Sequence, residues 1–215
     1  MKNESRHESS ARDFSLSSLN SQIIELVILG STGSIGVQAL EIVESNPDKF
    51  RVVGLASGSK NIQLLAQQAK KFSVPIIATT GDRIALSAAL KDLGAFANGG
   101  SAEIIDGPTS ASQVAAISCD VVLNGITGSI GLGPTLSALA VGNKVALANK
   151  ESLVAGGDLV MAYGREKIIP VDSEHSALYQ CFLSGRSSEV KQVVLTALPQ
   201  LAAQLAQASS APLQA

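Results

Sequence analysis

The sequence predicts an α/β protein built on a doubly wound parallel sheet. Three observations carry that expectation. Short, continuously apolar runs rich in Ile and Val recur between residues 23 and 172. Longer Ala-, Leu- and Gln-rich stretches with helical spacing separate them. The first apolar run leads straight into a glycine-rich turn, "GSTGSIG", Gly30 to Gly36. Strands that are apolar on both faces belong to a sheet covered by helices on each side, and the intervening helices supply the crossovers that parallel pairing needs.

The elements follow in order. "IIELVILG" (23–30) is a buried strand, and the helix after it runs from about Ser34 to Ser45, where Asn46 and Pro47 stop it. "FRVVGLA" (50–56) is the next strand, and "NIQLLAQQAKKF" (61–72) places Ile62, Leu65, Ala66 and Ala69 on one helical face. "VPIIATT" (74–80) and "DRIALSAALKDLG" (82–94) repeat the alternation, as do "GPTSASQVAAI" (107–117), "CDVVLNGI" (119–126), "GPTLSALAVG" (133–142) and "KVALA" (144–148). "KIIPVD" (167–172) is a further strand, and "EHSALYQCF" (174–182) opens a helix.

Composition narrows the function classes. A chain of 215 residues with 46% hydrophobic content buries one sizeable core and begins a second domain. Sixteen basic residues against eighteen acidic ones give no pull toward nucleic acid, and the 3% aromatic content without Trp removes stacking platforms for single strands. The partners expected are small molecules. No apolar run approaches the roughly 20 residues of a membrane span, so a soluble protein is expected. Residues 1–21 are polar and Ser-rich without an apolar segment, which predicts a disordered leader rather than a secretory signal, and Glu4, Glu8 and Asp13 argue against a transit peptide. Cys119 and Cys181 lack metal-type spacing and are expected to be two buried, reduced thiols.

Four clusters carry the chemistry. In the glycine turn, Gly30 suits a tight turn, Gly33 a close approach to a pyrophosphate and Gly36 tight helix-to-sheet packing. The spacing G-x-x-G-x-x-G is less specific than G-x-G-x-x-G, and a glycine turn without a ligand is the plain alternative. At the end of the second strand, "LASGSKN" (55–61) has no acid to hold ribose hydroxyls, while Ser57, Ser59, Lys60 and Asn61 suit a 2′-phosphate, so NADP(H) is expected over NAD. Ser59 or Asn61 capping the next helix explains the same residues without a ligand. "ALANKESLVAGG" (146–157) sets Asn149, Lys150 and Glu151 at the carboxyl end of a strand, where such sheets bind ligands, and a helix start with Glu151 near its dipole is the alternative. In "IIPVDSEHSAL" (168–178), Asp172 and Glu174 are hard oxygen ligands suited to Mg²⁺ or Mn²⁺, with a further ligand expected elsewhere. His175 reads as a backbone-bonded residue at a helix start, and Asp172 or Ser173 as an N-cap is the plain alternative.

"ILGSTGSIGVQALEIVESNPDKFRVVGLASG", "ALANKESLVAGG" and "IIPVDSEHSALYQCF" resemble, in order and spacing, the 1-deoxy-D-xylulose 5-phosphate reductoisomerase family of the non-mevalonate isoprenoid pathway, over about residues 24–197. The resemblance implies conversion of 1-deoxy-D-xylulose 5-phosphate into 2-C-methyl-D-erythritol 4-phosphate, with NADPH and Mn²⁺ or Mg²⁺. It implies a Rossmann-like NADPH-binding domain over 22–170 and the start of a second, catalytic α/β domain over 171–197. Carried over residue by residue, Thr32, Gly33, Ser34 and Ile35 contact the pyrophosphate region. The loop "ASGSKN" is one residue longer than the family pattern, which spreads the 2′-phosphate contact over Gly58 or Ser59 with Lys60 and Asn61. Asn149 and Glu151 lie near the nicotinamide half, and Lys150 binds substrate. Asp172 and Glu174 ligate the metal, and Ser173 and Glu174 contact substrate oxygens, giving Lys150, Ser173 and Glu174 the catalytic roles.

After Ala197 the family continues into a Ser-Gly-Gly loop, a lid, the third metal carboxylate and a helical C-terminal domain, whereas this chain has "LPQLAAQLAQASSAPLQA" (198–215), expected to be a non-family tail. The family's homodimer rests largely on its second domain and is not expected of this chain. A bacterial cytoplasm is the expected location, with a plastid as the alternative. Two readings follow: a truncated reductoisomerase, or a catalytically dead NADPH-binding fragment of one.

Overall fold

Along the first strand, β1 (Ile24–Leu29), successive side chains point to opposite faces, and this period of two divides the interior into two cores. Ile28 joins Leu55, Leu65, Ile77 and Leu86 on one face; Val27 and Leu29 join Ala56, Ala78, Val122 and Val145 on the other. The computed structural model describes residues 23–96 and 101–192. Its remaining strands are β2 (Phe50–Ser57), β3 (Ile76–Thr79), β4 (Glu103–Asp106), β5 (Val121–Asn124), β6 (Lys144–Leu147) and β7 (Ile168–Pro170). All pair in parallel, in the order β4-β3-β2-β1-β5-β6-β7.

The helices are α1 (Ser34–Ser45), α2 (Ile62–Lys71), α3 (Arg83–Asp92), α4 (Ser110–Ala115), α5 (Leu132–Ala140), α6 (Lys150–Met161) and α7 (Ser173–Leu183). Buried residues of α1, α2 and α3 line the first core, and those of α4, α5 and α6 line the second. The chain winds outward from β1 to β4. It then returns through the short α4, which packs across β1 to β4, and sets β5 on the opposite side of β1. The winding direction therefore reverses between β1 and β5, and the crevice outside the carboxyl ends of those strands is where doubly wound sheets take ligands. Each fully buried Leu or Ile in these cores contributes about 1.5–3 kcal/mol relative to an exposed one, so the crevice stands on a rigid base.

The doubly wound parallel sheet is as the sequence predicts, with one strand added. Residues 103–106, "EIID", form the edge strand β4, half-buried at Ile104 and Ile105 and exposed at both acids. A two-residue apolar core between carboxylates has neither the continuous run of a central strand nor clean alternation. Arg83 secures this edge by donating to the Ile104 carbonyl at 2.7 Å and to Asp106 at 2.9 Å.

The chain divides into two units, the first ending at Asp172 and the second starting at Ser173. The sequence reading puts the division after residue 170. Within the described part of the second unit lie α7 and a 3₁₀ turn, Ser187–Glu189, where Arg186 pairs with Glu189 at 3.0 Å. Hydrogen bonds from the Arg186 backbone N–H and guanidinium hold the Glu189 carboxyl below the usual carboxylate range. The predicted leader and the stretch from Leu198 lie outside the described residues. Among those described, no helix is long and apolar enough to cross a membrane.

The expectation of two buried thiols is corrected. Cys119 is half-buried, and burial pushes its thiol up to about 11, but Cys181 is exposed on α7, a helix that buries none of its residues.

Candidate functional site

At the end of β1 the chain turns sharply. Gly30 takes a left-handed φ of +76°, and the Gly30 and Ser31 N–H groups both donate to the Ala56 carbonyl, at 2.8 and 3.0 Å. Gly33 N–H closes the turn onto the Gly30 carbonyl at 2.9 Å. α1 then packs flush against this backbone: a Cβ at Gly36 would sit 2.4 Å from the Gly30 oxygen and 2.5 Å from the Ser31 Cα. Only glycine allows that approach, which brings the start of α1 onto the turn. Gly33 precedes the helix without a side-chain cap, so the first N–H groups of α1 are presented to solvent or to an anion. Of the four residues expected at a pyrophosphate, Gly33 and Ser34 are exposed, and Thr32 and Ile35 are half-buried.

Two ties steady this turn from neighbouring elements. Gln68 of α2 donates to the Ser31 carbonyl at 2.9 Å. Ser57, the last residue of β2, meets Thr32 hydroxyl to hydroxyl at 2.5 Å. The end of β2 is thus joined to the glycine turn, and Gly58, Ser59, Lys60 and Asn61 follow it on the exposed rim. Asn61 stands at the start of α2, yet its side chain makes no capping hydrogen bond. The plain explanation of this residue as a helix cap is not realised. Between Leu55 and Asn61 there is no acid to receive a ribose hydroxyl.

A second turn stands beside the first. Residues 125–131 read "GITGSIG", the same as 30–36 except that Ile126 replaces Ser31. The two turns leave adjacent strands at the same level, since Leu29 and Asn124 are register partners and Gly125 N–H donates to the Leu29 carbonyl at 2.9 Å. A Cβ at Gly30 would lie 2.8 Å from the Gly125 oxygen, so the two backbones touch. Sequence reasoning missed this element; the repeated heptapeptide after two apolar runs was the available signal.

Buried carboxamides hold the second turn. Asn124 donates to the Gly131 carbonyl at 2.9 Å and to the Thr135 hydroxyl at 2.8 Å, and accepts from Ile126 N–H at 3.1 Å. Asn149, 2% exposed, donates to the carbonyls of Ile126 and Gly128, the latter at 2.8 Å. Its side-chain oxygen caps α6 by accepting from Ser152 N–H at 2.8 Å, and also accepts from the Ser152 hydroxyl. The Asn149 carboxamide is therefore committed inside the protein. Lys150 follows as the exposed first residue of α6, and Glu151 lies half-buried in its first turn. The helix-start reading of this motif is realised in full.

After β7, the half-buried Asp172 closes the first unit. In the second unit, Ser173, Glu174 and His175 are exposed in the first turn of α7, where the Ser173 hydroxyl donates to Glu174 at 2.8 Å. Among the described residues, no three His, Cys, Asp or Glu side chains gather where they could hold a metal ion. Asp172, in the first unit, and Glu174, in the second, each carry an oxygen donor of the kind a hard cation takes.

A family model described as 1-deoxy-D-xylulose 5-phosphate reductoisomerase matches residues 26–157, and one described as the C-terminal domain of the same enzyme matches residues 168–209. The second match extends past Ala197 into the stretch expected to lie outside the family. The 1-deoxy-D-xylulose 5-phosphate reductoisomerase of Beutenbergia cavernae is 51% identical over 175 residues, covering 80% of this chain and 43% of that protein. That of Arthrobacter sp. is 51% identical over 176 residues, covering 80% and 45%. This chain spans less than half the length of these curated relatives. A crystal structure of DOX-P reductoisomerase in complex with NADPH, fosmidomycin and magnesium is 36% identical, with a TM-score of 0.67 over 74% of this chain and 39% of that one. The reductoisomerase of Zymomonas mobilis in complex with NADPH is also 36% identical, with a TM-score of 0.66 over 75% and 42%.

Proposed function

This chain belongs to the 1-deoxy-D-xylulose 5-phosphate reductoisomerase family, and on that premise we propose that it forms the NADPH-binding part of an enzyme converting 1-deoxy-D-xylulose 5-phosphate into 2-C-methyl-D-erythritol 4-phosphate. The observation that carries the cofactor assignment is the Gly36 contact: α1 can reach the turn at the sheet's switch point only because no side chain intervenes. The acid-free rim from Gly58 to Asn61 then selects the phosphorylated dinucleotide, and two solved relatives hold NADPH.

NADPH supplies the hydride. Thr32, Gly33, Ser34 and Ile35, with the N–H groups of α1, hold its pyrophosphate. Gly58, Ser59, Lys60 and Asn61 receive the 2′-phosphate, to which Lys60 brings a positive charge. Asn149 and Glu151 stand on the nicotinamide side. Lys150 presents an ammonium to a substrate oxyanion, and the Ser173 hydroxyl and Glu174 carboxylate bond substrate oxygens. Asp172 and Glu174 are the residues that would hold Mg²⁺ or Mn²⁺, a cation that polarises a substrate carbonyl. The matched relatives are bacterial, which supports a bacterial cytoplasm.

The want of a third metal-ligating side chain among the described residues favours a second reading, an NADPH-binding fragment without turnover. Calorimetry on the purified 215-residue chain tests the shared premise. NADPH is expected to bind at least about tenfold more tightly than NADH, and equal affinities would overturn the cofactor assignment. NADPH oxidation dependent on deoxyxylulose phosphate, assayed on the same chain with Mg²⁺ and with Mn²⁺, then separates the two readings: turnover removes the second, and binding without turnover removes the first for this chain.

A further inference from the structure

We propose that Gln68 is a positioning residue that fixes the direction of the Ser31–Thr32 peptide, so that the Thr32 N–H and not the Ser31 carbonyl faces the pyrophosphate. The inference rests on the NADPH reading and deepens it at the first turn. The Ser31 carbonyl and the Thr32 N–H belong to one planar trans peptide and point in opposite directions. Whatever holds the carbonyl therefore aims the N–H. Gln68 of α2 holds it, donating from its side-chain nitrogen at 2.9 Å, and the Ser31 N–H is held in turn by the Ala56 carbonyl at 3.0 Å. Among the described residues the Thr32 N–H itself has no acceptor. It is a donor directed away from α2, beside the uncapped start of α1. Turned the other way, the peptide would set a partly negative carbonyl oxygen against the anionic pyrophosphate.

Two further observations single out this bond. Gln68 is 6% exposed, and among the described residues its side-chain oxygen has no hydrogen-bond partner. A buried carboxamide with its acceptor unmet is destabilising, and an apolar side chain of the same length would fill the space without that cost. The bond to the Ser31 carbonyl is what distinguishes glutamine at this position. The second turn repeats the arrangement: Ile126 stands where Ser31 does, and its carbonyl accepts from the buried Asn149 carboxamide. Two different elements, α2 and the start of α6, thus bring a carboxamide to the equivalent carbonyl of a repeated heptapeptide. Gln68 touches no ligand in this account and acts on the pyrophosphate through the turn.

Gln68→Met tests the assignment. Methionine matches glutamine in length and stays buried, but it has no donor for the Ser31 carbonyl. Binding to the 215-residue chain is measured with two probes, NADPH and adenosine 2′-phosphate, which has the 2′-phosphate and no pyrophosphate. Because α2 begins at the 2′-phosphate rim, a general disturbance of that helix weakens both probes. The expected result is a loss of about tenfold for NADPH with adenosine 2′-phosphate unchanged within about twofold. Equal losses for both probes would mark a merely structural residue, and no loss for NADPH would remove the positioning role. The Thr32 amide resonance adds a spectroscopic signature. In isotope-labelled wild-type chain NADPH is expected to move the Thr32 amide proton downfield, as a charge-assisted hydrogen bond does, and in Gln68→Met the movement is expected to fall to less than about half. A Thr32 amide left unmoved in wild-type chain that binds NADPH overturns the proposal, even should Gln68→Met fail to fold. Wild-type chain that binds neither probe would sink the cofactor reading itself, an outcome distinct from all of these.

Discussion

The turns at Gly30–Gly36 and Gly125–Gly131 share six of seven residues and leave neighbouring strands at the same level, yet different forces hold them. Main chain dominates in the first: two N–H groups donate to the Ala56 carbonyl, a third closes the turn on Gly30, and α1 sits on its backbone at Gly36, with side-chain ties added by Gln68 at the Ser31 carbonyl and by Ser57 at Thr32. Side chains fix the second: the carboxamides of Asn124 and Asn149 take up the carbonyls of Ile126, Gly128 and Gly131. Beyond the fourth residue of each turn the two chains also continue differently. The first enters α1 directly, while the second passes through a 3₁₀ turn, Ser129–Gly131, which leaves carbonyls that need donors from elsewhere. A glycine motif thus states that the backbone must come close; it does not state what holds it there.

The last glycine of each turn exposes the contrast most sharply. At Gly36 the added Cβ would meet fixed backbone at 2.4 Å, and neither α1 nor the turn can withdraw without losing the packing that seats the helix. Gly36→Ala is expected to cost about 3 kcal/mol in urea unfolding and to abolish NADPH binding. At Gly131 the added Cβ would meet the Asn149 amide nitrogen at 2.8 Å, a side-chain group that can move at the expense of its bonds to the turn. Gly131→Ala should therefore cost about 1–2 kcal/mol, the scale of buried hydrogen bonds left unmade. In an Asn149→Ser background that cost should shrink toward zero, a coupling that a double-mutant cycle reads directly. Equal costs at the two glycines, or additive costs in the cycle, would abolish the distinction between the turns.

Much of the scaffold was legible because it is buried on both faces. β1, β2 and β3 announce themselves as Ile- and Val-rich runs, and α1 occupies Ser34–Ser45 as read, since Gly33 and the Asn46-Pro47 pair bound it on each side. β4 escaped because an edge strand of two isoleucines between two acids has no pattern of its own. The first glycine turn was legible through its spacing. The grip on the second was not, because the partners of Asn149 are backbone carbonyls more than twenty residues earlier, and carbonyls carry no residue identity. "ANKES" marks Asn149 as a polar residue at a strand's end and says nothing of whether its amide faces the cleft or the interior. The alternate spacing of Asp172 and Glu174 likewise hides the division between the two units, which falls between them.

The smallest expected effect comes from the hydroxyl tie between Ser57 and Thr32 in the first turn, and it is the most discriminating for that reason. Ser57→Ala removes the hydroxyl that meets Thr32. Ser57 is buried and Thr32 half-buried, so the Thr32 hydroxyl left behind retains access to water and avoids most of the penalty of a stranded polar group. The main-chain bonds to Ala56 and the Gly36 contact are untouched by the change. The loss in urea unfolding should be about 0.5–1 kcal/mol, below that of Gly131→Ala, with NADPH affinity reduced by less than about tenfold. A cost at Ser57 exceeding that at Gly131 would reverse the ranking, and would mean that side-chain ties outweigh main-chain bonds in keeping the first turn in place.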